Sequence, residues 1–490
     1  MKWVLYNLLF AAVYPFLLPG FLMRMLKRGG YAARMGDRFA LYPRDVLAKL
    51  IPDGKPVCPH SAPSTKRQAP GTDFIWIHAV SVGEVQVAGQ LMREWRKTDP
   101  SVRFCFSTTS STGWKIAEKE LSALQPQPPT STSDILIYNP LDFPNFVKSA
   151  LKTIRPRAIV LTESEIWPNF ILQAKKTGIP LFLINARVSD RSAPRYKFAR
   201  YFFKDVFGAF TKIFAQSDLD ASRIRAAMRP EDADKVVVTG SFKFDVAKRN
   251  EAKEKELREW IFGENEKLRM KNEELRNAKI LLGGSTWPGE DKVLLDVYRS
   301  ILQLQLDTPT LLVLAPRHFE KADEVEANIK AAGFTCIRRS RGDTSPLSKD
   351  DARRNSSLFT LTSSLPNPPV YLCDTTGEMM GLFGICDVAF VGKSLCAHGS
   401  QNMIEPCLCG KPTFVGPYTE NFRPVMSDLL ASDAIVQVKD TEELKSRIVE
   451  LFSRDGDAAL GERAKAAVLN RRGVVPRCVQ AIREELRSEV

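Results

Sequence analysis

Short apolar runs alternate with longer runs of mixed polarity along most of the chain. In the first half, six runs rich in β-branched and aromatic residues predict strands at 74–77, 102–107, 158–161, 181–185, 212–215 and 236–239. Helical patterns lie between most of them, for example at Pro168–Lys176. Strands that alternate with helices in this way predict βαβ units and a parallel sheet.

The same pattern restarts after a highly charged segment at 248–279. Seven further strands are predicted at 280–282, 310–314, 335–338, 370–373, 388–391, 412–415 and 434–438. Polar or proline-rich stretches at 52–72, 123–134 and 340–368 are typical of surface insertions. We therefore predict an α/β protein with an N-terminal domain at 29–247, a charged connector at 248–279, a second domain at 280–470 and a C-terminal helix at 471–490.

The first 28 residues differ from the rest of the chain. Residues 3–23 are almost wholly apolar, apart from Asn7, two prolines and a glycine, and Arg24, Lys27 and Arg28 follow directly. About 20 apolar residues suffice to cross a bilayer, and the basic cluster predicts that the bulk of the chain stays cytoplasmic. We predict a membrane anchor at 1–28, with a segment that lies on the membrane surface as the alternative.

Composition and charge narrow the class of protein. Apolar residues make up 44% and charged residues 26% of the 490-residue chain, as in folded globular proteins. The net charge of +13 predicts an acidic partner, and anionic lipids of the inner membrane fit the predicted anchor. No nucleic-acid-binding signature accompanies the charge. The nine cysteines are scattered without useful metal-ligand spacing, which favours buried thiols in a reducing compartment.

Ligands of such folds bind where strands end, and the first predicted strand ends in small residues that lead into a helix starting near Glu84. A carboxylate there can face a ligand, or it can merely cap the helix. After the second strand, a hydroxyl-rich turn at 107–113 is typical of an anion site or of a helix cap. After the third, Glu163 and Glu165 are candidates for acid–base chemistry or for a salt bridge. Lys243 lies between two aromatic residues, where it can meet a phosphate or carboxylate.

The second half places a similar set of residues after its strands. Arg317 offers a planar donor fork behind the second of these strands. Glu378 lies at the start of a predicted helix, and Glu405 follows Asn402 by one helical turn, so both could address one ligand. A carboxylate that binds the two hydroxyls of a ribose is a natural use. The chain contains neither a G-x-G-x-x-G motif nor a P-loop, which argues against NAD and ATP.

Ten short stretches, taken in order, resemble the Kdo transferases of lipopolysaccharide biosynthesis. They are IWIHAVSVGEV, STTSSTGW, ESEIWPN, NARVSDRS, GSFKFD, GSTWPGE, LAPRH, TTGEMMGLF, FVGKSL and GSQNMIEP with GKPTFVGP, and they span residues from about 28 to 425. Two positions depart from the family pattern. Trp287 replaces a usual histidine, and Ser400-Gln401 replaces a common Gly-His pair, which puts a contribution from these imidazoles in doubt.

The resemblance implies a GT-B fold, with two Rossmann-like domains facing a cleft, and an inverting transfer of Kdo from the donor CMP-Kdo to a lipid A precursor (lipid IVA). It implies that Glu84 is the general base and that Glu165 and Lys243 support the transition state. It places the CMP site at three stretches of the second domain, formed by Pro316 and Arg317, by Gly377, Glu378 and Met379, and by Asn402, Met403, Ile404 and Glu405. No metal or other cofactor is expected.

Two other classes of function remain open from the residues. The fold also hosts nucleotide-sugar epimerases and glycosyltransferases that use other donors. A non-enzymatic membrane adaptor could keep the same fold, although retention of Glu84, Lys243, Arg317 and Glu405 together favours an enzyme. The location expected from the anchor is the cytoplasmic side of the inner membrane.

Overall fold

The computed structural model describes residues 2–28, 32–50, 74–124, 134–246, 249–262, 278–343, 368–454 and 457–488. Contacts within the chain define two compact units. The first unit comprises Met1–Phe242 and Gly473–Val490, and the second comprises Lys243–Arg472. The division thus falls directly before Lys243, and the last helix of the chain packs in the first unit.

The first unit contains a parallel sheet of seven strands, which are β1 (Phe74–His78), β2 (Arg103–Thr108), β3 (Ile135–Tyr138), β4 (Ala158–Thr162), β5 (Leu181–Ala186), β6 (Lys212–Ala215) and β7 (Val236–Val238). Their order in the sheet is β3-β2-β1-β4-β5-β6-β7. Six of these strands match the predicted ones. β3 was missed, although its sequence ILIY is a short apolar run of the expected kind.

The second unit repeats this arrangement with β8 (Lys279–Thr286), β9 (Thr310–Pro316), β10 (Cys336–Arg338), β11 (Val370–Leu372), β12 (Val388–Val391), β13 (Thr413–Val415) and β14 (Val436–Gln437). The order is β10-β11-β9-β8-β12-β13-β14, again with parallel pairing throughout. The prediction of two parallel α/β domains is therefore confirmed.

Nineteen α-helices connect the strands in the described part of the chain. They are α1 (Lys2–Arg28), α2 (Arg44–Leu50), α3 (Val82–Thr98), α4 (Ser111–Leu124), α5 (Pro144–Ile154), α6 (Pro168–Lys176), α7 (Ala193–Phe198), α8 (Arg200–Phe207), α9 (Asp218–Ala226), α10 (Lys243–Val246), α11 (Glu251–Phe262), α12 (Glu290–Gln303), α13 (Ala322–Ala331), α14 (Met379–Ile385), α15 (Ile404–Leu408), α16 (Arg423–Ala431), α17 (Thr441–Ser453), α18 (Ala458–Asn470) and α19 (Val474–Ser488).

Both faces of the first sheet are covered, which explains why its strands are continuous apolar runs rather than alternating ones. Trp76 and Phe74 point into one buried cluster, whereas Ile75 and Ile77 point into the other. Val475 and Ile482 of α19 belong to the second cluster, so the end of the chain closes the core of the first unit. Burial of each such side chain stabilises the fold by about 1.5–3 kcal/mol.

The N-terminal segment differs from the predicted anchor. None of the helices in the described ranges is long and apolar enough to cross a membrane, so a spanning anchor is not supported. Helix α1 instead packs on the first unit over its first turns: the Trp3 ring meets Phe202 edge-on, and Asn169 Nδ2 donates to Asn7 Oδ1 at 2.7 Å. Polar and aromatic contacts of this kind hold the start of the helix to the rest of the first unit.

Three predicted surface segments lie outside the described residues, wholly at 52–72 and for most of their length at 123–134 and 340–368. Of the charged segment at 248–279, the structure describes residues 249–262, which include α11, and residues 278–279. Leu257 and Ile261 of this helix are buried in the core of the second unit. The first part of the predicted connector is therefore an amphipathic helix of that unit, and its buried charge, Glu254, pairs with Arg249 at 2.6 Å.

Candidate active site

The first sheet brings β1 and β4 side by side, although they are far apart in sequence. Their pairing runs from Ile75 opposite Ala158 to His78 opposite Leu161, and Thr162 Oγ1 donates to His78 O at 3.0 Å. The chain leaves β1 toward β2 and leaves β4 toward β5, on opposite sides. Such a divergence opens a crevice at the carboxyl ends of the strands, where ligands bind in open α/β sheets.

Glu84 lies at the start of α3, just beyond β1, with 7% of its surface exposed. Its Oε2 accepts hydrogen bonds from the N–H groups of Val80 at 2.8 Å and Ser81 at 3.3 Å, and Ser81 Oγ accepts one from the Glu84 N–H. These reciprocal hydrogen bonds form a capping box, so the alternative interpretation, in which Glu84 caps the helix, is correct. The box engages only one carboxylate oxygen, so it orients Glu84 without using Oε1.

Glu165 follows β4 and lies close enough to Glu84 for the negative charge of Glu84 to raise its pKa. Burial, reinforced by the negative charges of Glu84 and Glu163, raises the pKa of Glu165 to about 7. Trp167 Nε1 donates to Glu165 Oε2 at 2.9 Å. A carboxyl that titrates near neutrality in a crevice is a candidate for catalytic chemistry.

Glu163 is committed to other contacts. Its backbone is left-handed, with φ 50°, and its carboxylate pairs with Arg187 Nε at 2.7 Å. Asn185 Nδ2 donates to its other oxygen at 3.1 Å. The salt-bridge interpretation therefore describes Glu163, and of the two carboxylates Glu165 is the one placed beside Glu84.

His78, the last residue of β1, was not singled out from the sequence. Its ring is wholly buried, with Nδ1 2.9 Å from Ser107 Oγ and Nε2 3.8 Å from Glu165 Oε2. The signal that could have found it is a histidine in an otherwise apolar strand, one position before the strand breaks.

The hydroxyl-rich turn after β2 caps α4. Ser107 and Thr108 are fully buried, and Ser110 Oγ accepts the N–H of Gly113 at 3.0 Å. Ser110 Oγ also donates to Val80 O at 3.0 Å, which ties this turn to the loop that carries Glu84. The helix-cap interpretation describes these contacts, and the turn supports the site from behind.

The second unit has its divergence between β8 and β12, whose pairing runs from Val388 opposite Leu281 to Val391 opposite Gly284. The loop after β12 passes so close to β8 that a side chain on Gly392 would collide with the carbonyl oxygen of Ser285. Only glycine fits at this approach.

Glu290, at the start of α12, organises this loop and was missed from the sequence. Its side chain is fully buried and accepts backbone N–H groups from both sides, with Trp287 and Lys393 donating to Oε2 and Ser394 and Leu395 donating to Oε1. A buried carboxylate with this many donors is a rigid brace. An acidic residue three positions after Trp287 at a helix start was the available signal.

Pro316 is the last residue of β9, and Arg317 follows it directly. The Arg317 N–H donates to Thr286 O at 3.0 Å, which holds the turn, while its side chain is exposed. Among the described residues its guanidinium has no ion-pair partner, so it can accept an anionic ligand. Trp287 occupies the neighbouring position, with its ring 5.1 Å from that of His318 and 4.7 Å below Lys393 Nζ.

The stretch Gly377, Glu378 and Met379 begins α14. The backbone of Gly377 is left-handed, with φ 82°, and the carboxylate of Glu378 pairs with Arg339 Nε at 2.6 Å. Cys373 Sγ also donates to Glu378 at 3.1 Å, and burial together with the Glu378 charge raises the pKa of that thiol to about 12. The Glu378 side chain is thus engaged in the fold, and backbone groups are what this stretch can offer a ligand.

The residues from Asn402 to Glu405 follow β12 and begin α15. Met403 and Ile404 are fully buried in the core, so neither side chain can meet a nucleotide. Asn402 Nδ2 donates to Glu405 Oε1 at 3.0 Å, and burial raises the pKa of Glu405 against that hydrogen bond. Asn402 and Glu405 therefore form one polar unit at the strand end.

Lys243 is the first residue of the second unit and begins α10. Its Nζ lies 4.0 Å from the centre of the Phe422 ring and donates to Asn421 O at 3.4 Å. The cation is thus held over an aromatic face, which is a favourable arrangement for a lysine that is not fully solvated. As for metals, the described residues contain no group of three or more His, Cys, Asp or Glu side chains that could hold an ion.

Two seven-stranded parallel sheets, each with polar groups at its switch point, give the protein a GT-B-like fold. Solved structures with this fold include a glycosyltransferase from Rickettsia africae, at 14% identity and a TM-score of 0.51, covering 84% of this chain and 98% of that one. A UDP-GlcNAc 2-epimerase from Neisseria meningitidis is similar at 15% identity and a TM-score of 0.51, covering 85% and 100%. These likenesses concern the fold alone.

The sequence comparisons relate the chain to one family of enzymes. Residues 33–246 match the family model described as 3-deoxy-D-manno-octulosonic-acid transferase (kdotransferase). The 3-deoxy-D-manno-octulosonic acid transferase of Haemophilus influenzae is 29% identical over 86% of this chain and 89% of its own length. The enzyme of the same name from Bordetella pertussis is 29% identical over 85% and 89%. The chain is thus similar to Kdo transferases, which are glycosyltransferases, over most of its length, and residues 33–246 match their family model.

Proposed function

We propose that this enzyme transfers Kdo from CMP-Kdo to a lipid A precursor in lipopolysaccharide biosynthesis. The observation that carries the proposal is the pairing of β1 with β4, which places Glu84 beside Glu165 in the crevice of the first unit. Of the two carboxyl groups, Glu84 is the one held by backbone N–H groups, two of which donate to its Oε2. A base needs such a fixed orientation toward the proton that it removes.

In the proposed reaction, Glu84 takes the proton from a hydroxyl of the acceptor sugar as that oxygen attacks the anomeric carbon of Kdo. The new C–O bond forms on the face opposite the bond to CMP, which breaks, and the electron pair leaves with the phosphate. One base suffices for this inverting displacement, and Glu165 supports the transition state beside it. Lys243 offsets the negative charge of the Kdo carboxylate or of the departing phosphate.

The donor site proposed for the second unit uses the groups at the ends of β9 and β12. Arg317 can bind the phosphate with its guanidinium fork, and Glu405, oriented by Asn402, can accept hydrogen bonds from the ribose hydroxyls. Pro316 borders Arg317, and the turn at Gly377–Met379 offers backbone groups. Because Met403 and Ile404 are buried, their part in the site is limited to the main chain.

A transfer assay tests the donor and the acceptor together. Purified full-length protein is incubated with a lipid A precursor and either CMP-Kdo or a UDP-sugar, and the lipid product is identified by mass spectrometry. We expect the lipid to gain the mass of one or more Kdo residues from CMP-Kdo only. EDTA is expected to leave the rate unchanged, since helix starts and basic side chains replace a metal in the proposed site. If product forms only with the UDP-sugar, the enzyme uses another class of donor and the proposal is wrong.

For the location, we propose that α1 lies on the cytoplasmic surface of the inner membrane rather than across it. Several apolar side chains of this helix are at least half exposed, namely Val4, Leu5, Leu8, Leu9, Val13 and Phe16. On the other side of the helix, Trp3 and Asn7 contact the first unit. An apolar face beside a basic protein suits the interface of a bilayer with anionic headgroups.

Substituting glutamate at both Leu5 and Leu9 should weaken binding to anionic vesicles by about ten-fold or more, because two apolar anchors are lost and two negative charges are added. Cosedimentation of the full-length protein with vesicles of anionic and of zwitterionic lipid measures this. A matched control replaces Leu430 and Leu469 of the second unit, which are exposed by 40% and 44%. Unchanged vesicle binding by the Leu5/Leu9 variant would contradict the proposed membrane face.

A further inference from the structure

The protonation of His78 is set by its neighbours. Its Nδ1 lies 3.1 Å from the carbonyl oxygen of Ser107 and 2.9 Å from Ser107 Oγ. Trp76 Nε1 donates to the same Ser107 Oγ at 2.8 Å, which holds that hydroxyl in place. The carbonyl oxygen can only accept, and the Ser107 hydroxyl can donate its own hydrogen to Asn139 Oδ1 at 3.3 Å. This arrangement favours a hydrogen on Nδ1, and a neutral ring then has a bare lone pair on Nε2.

The Nε2 atom of His78 is buried and has no hydrogen-bond partner among the described residues. Burial, with the positive charge of Arg38 acting in the same direction, lowers the pKa of His78 to about 4. The ring is therefore neutral near pH 7, so an ion pair with Glu165 is not what this geometry offers. What faces the carboxyl, across 3.8 Å to Oε2, is a hydrogen-bond acceptor.

The groups around Glu165 favour its acid form. Glu84 and Glu163 both contribute negative charge, although the charge of Glu163 is balanced by its ion pair with Arg187. Tyr196 of α7, which also lies near Glu165, carries no positive charge. The Trp167 indole is the hydrogen-bond donor that favours the ionised form. Two neighbouring carboxylates cannot both be ionised without cost, so the proton belongs on Glu165, whose pKa is raised by burial and by these charges.

We propose that His78 is a positioning residue that accepts a hydrogen bond from the acid form of Glu165 and thereby holds the proton on Glu165 Oε2. Closing the distance from 3.8 Å to a hydrogen bond requires a shift of about 1 Å. A protonated Oε2 can still accept from Trp167 while it donates to His78.

This inference rests on the proposed function of Glu84 as the ionised base, and it assigns the neighbouring carboxyl a complementary state. With its proton turned toward His78, Glu165 presents the carbonyl-like Oε1 to the crevice. That oxygen can accept a hydrogen bond from a sugar hydroxyl without adding a second negative charge beside the carboxylate of Kdo. A neutral Glu165 thus orients substrate, whereas Glu84 removes the proton.

A direct test is ¹⁵N NMR of the full-length protein labelled at histidine. The chain has four histidines, and His78→Phe identifies the resonance that is lost. We expect a neutral His78 with the proton on Nδ1 and an unprotonated Nε2 from about pH 5 to about pH 8. A proton on Nε2, or a cationic ring in this range, would overturn the proposal. This measurement on the unaltered protein does not depend on the folding of any variant.

Kinetics test the consequence for Glu165. The kcat of the unaltered enzyme should fall on the alkaline side as Glu165, with its pKa of about 7, ionises. Glu165→Gln, which mimics the acid form, should lose less than about ten-fold in kcat and lack this decline, whereas Glu165→Ala should lose about a hundred-fold or more. In His78→Phe the decline should begin about one pH unit lower, since the acceptor for the acid form is lost.

Equal losses of kcat in Glu165→Gln and Glu165→Ala would contradict the proposal. So would an alkaline decline in kcat that begins at the same pH in His78→Phe as in the unaltered enzyme. A merely structural His78 would lower kcat at every pH alike. Failure of the proposed function can be distinguished from failure of this inference. If Glu84→Gln keeps its turnover, the general base is misassigned. The tautomer of His78 and the comparison of the Glu165 variants test the present inference independently of that result.

Discussion

Glu84→Gln is expected to lower the kcat for transfer by about 10²–10⁴-fold, the range of a lost general base, while the protein folds normally. Glutamine retains a side-chain oxygen that can accept from the N–H groups of Val80 and Ser81, so the capping box of α3 survives. What disappears is the ability to take a proton from the acceptor hydroxyl. Steady-state transfer assays, with thermal unfolding of both proteins, measure the two effects.

The chain offers a matched control for this variant in α17. Glu443 occupies the same position in its helix as Glu84, because Asp440 accepts the Glu443 N–H at 2.8 Å and Glu443 accepts the Lys439 N–H at 2.9 Å. Glu443→Gln removes the same charge from the same kind of cap without touching the crevice of the first unit. We expect unchanged kcat in this control. Turnover by Glu84→Gln at the level of Glu443→Gln would remove Glu84 as the base.

Lys243→Met should lower kcat/KM by about 10²-fold or more, because a preorganised cation facing developing negative charge is lost. The methionine keeps the apolar contact with Phe422, over which the Lys243 ammonium now lies at 4.0 Å, so folding should be retained. The expected loss is larger than a surface charge would cause, since the ammonium is held in place by the ring and by Asn421 O.

Transfer assays at varied CMP-Kdo concentration measure the Lys243 effect, with Lys445→Met as the control. Lys445 is also a lysine of the second unit, and it pairs with Asp296 at 3.3 Å on an exposed surface. An isolated surface pair of this kind contributes about 0–1 kcal/mol to stability, so this control should keep its activity. Equal kinetics for the two variants would contradict a role for Lys243 in the transition state.

The strands were predictable because each is a buried apolar run bounded by polar or small residues. The main omission, β3, lies directly after a polar stretch at 123–134, whose composition masked four apolar residues at Ile135–Tyr138. The first part of the connector was misleading for the opposite reason. Glu251–Phe262 is dominated by charges, yet its few apolar residues lie on one side and are buried. Local composition is a poor predictor of such short or amphipathic elements, because the contacts that stabilise them are made by residues elsewhere in the chain.

The positions of the candidate site residues were predictable, since each lies at the end of a strand or after it. Their side-chain environments were not. Glu163 and Glu165 are two residues apart, but only Glu163 reaches Arg187, because a left-handed backbone turns it away from Glu165. Met403 and Ile404 lie between Asn402 and Glu405 and are nevertheless core residues. The spacing along a chain does not say which side of a turn a side chain will take.

The sequence by itself determined that this protein has two parallel α/β domains, that its polar chemistry lies at strand ends, and that its ten short motifs are those of the Kdo transferases. Periodicity and strand-end composition carry this information because they are local. Only the tertiary structure decided which strand ends are neighbours. The pairing of β1 with β4 is what places His78, Glu84 and Glu165 together, although about 90 residues separate the first from the last. The electrostatics of the three groups follow from that pairing, because burial and a neighbouring charge act through space and not along the chain.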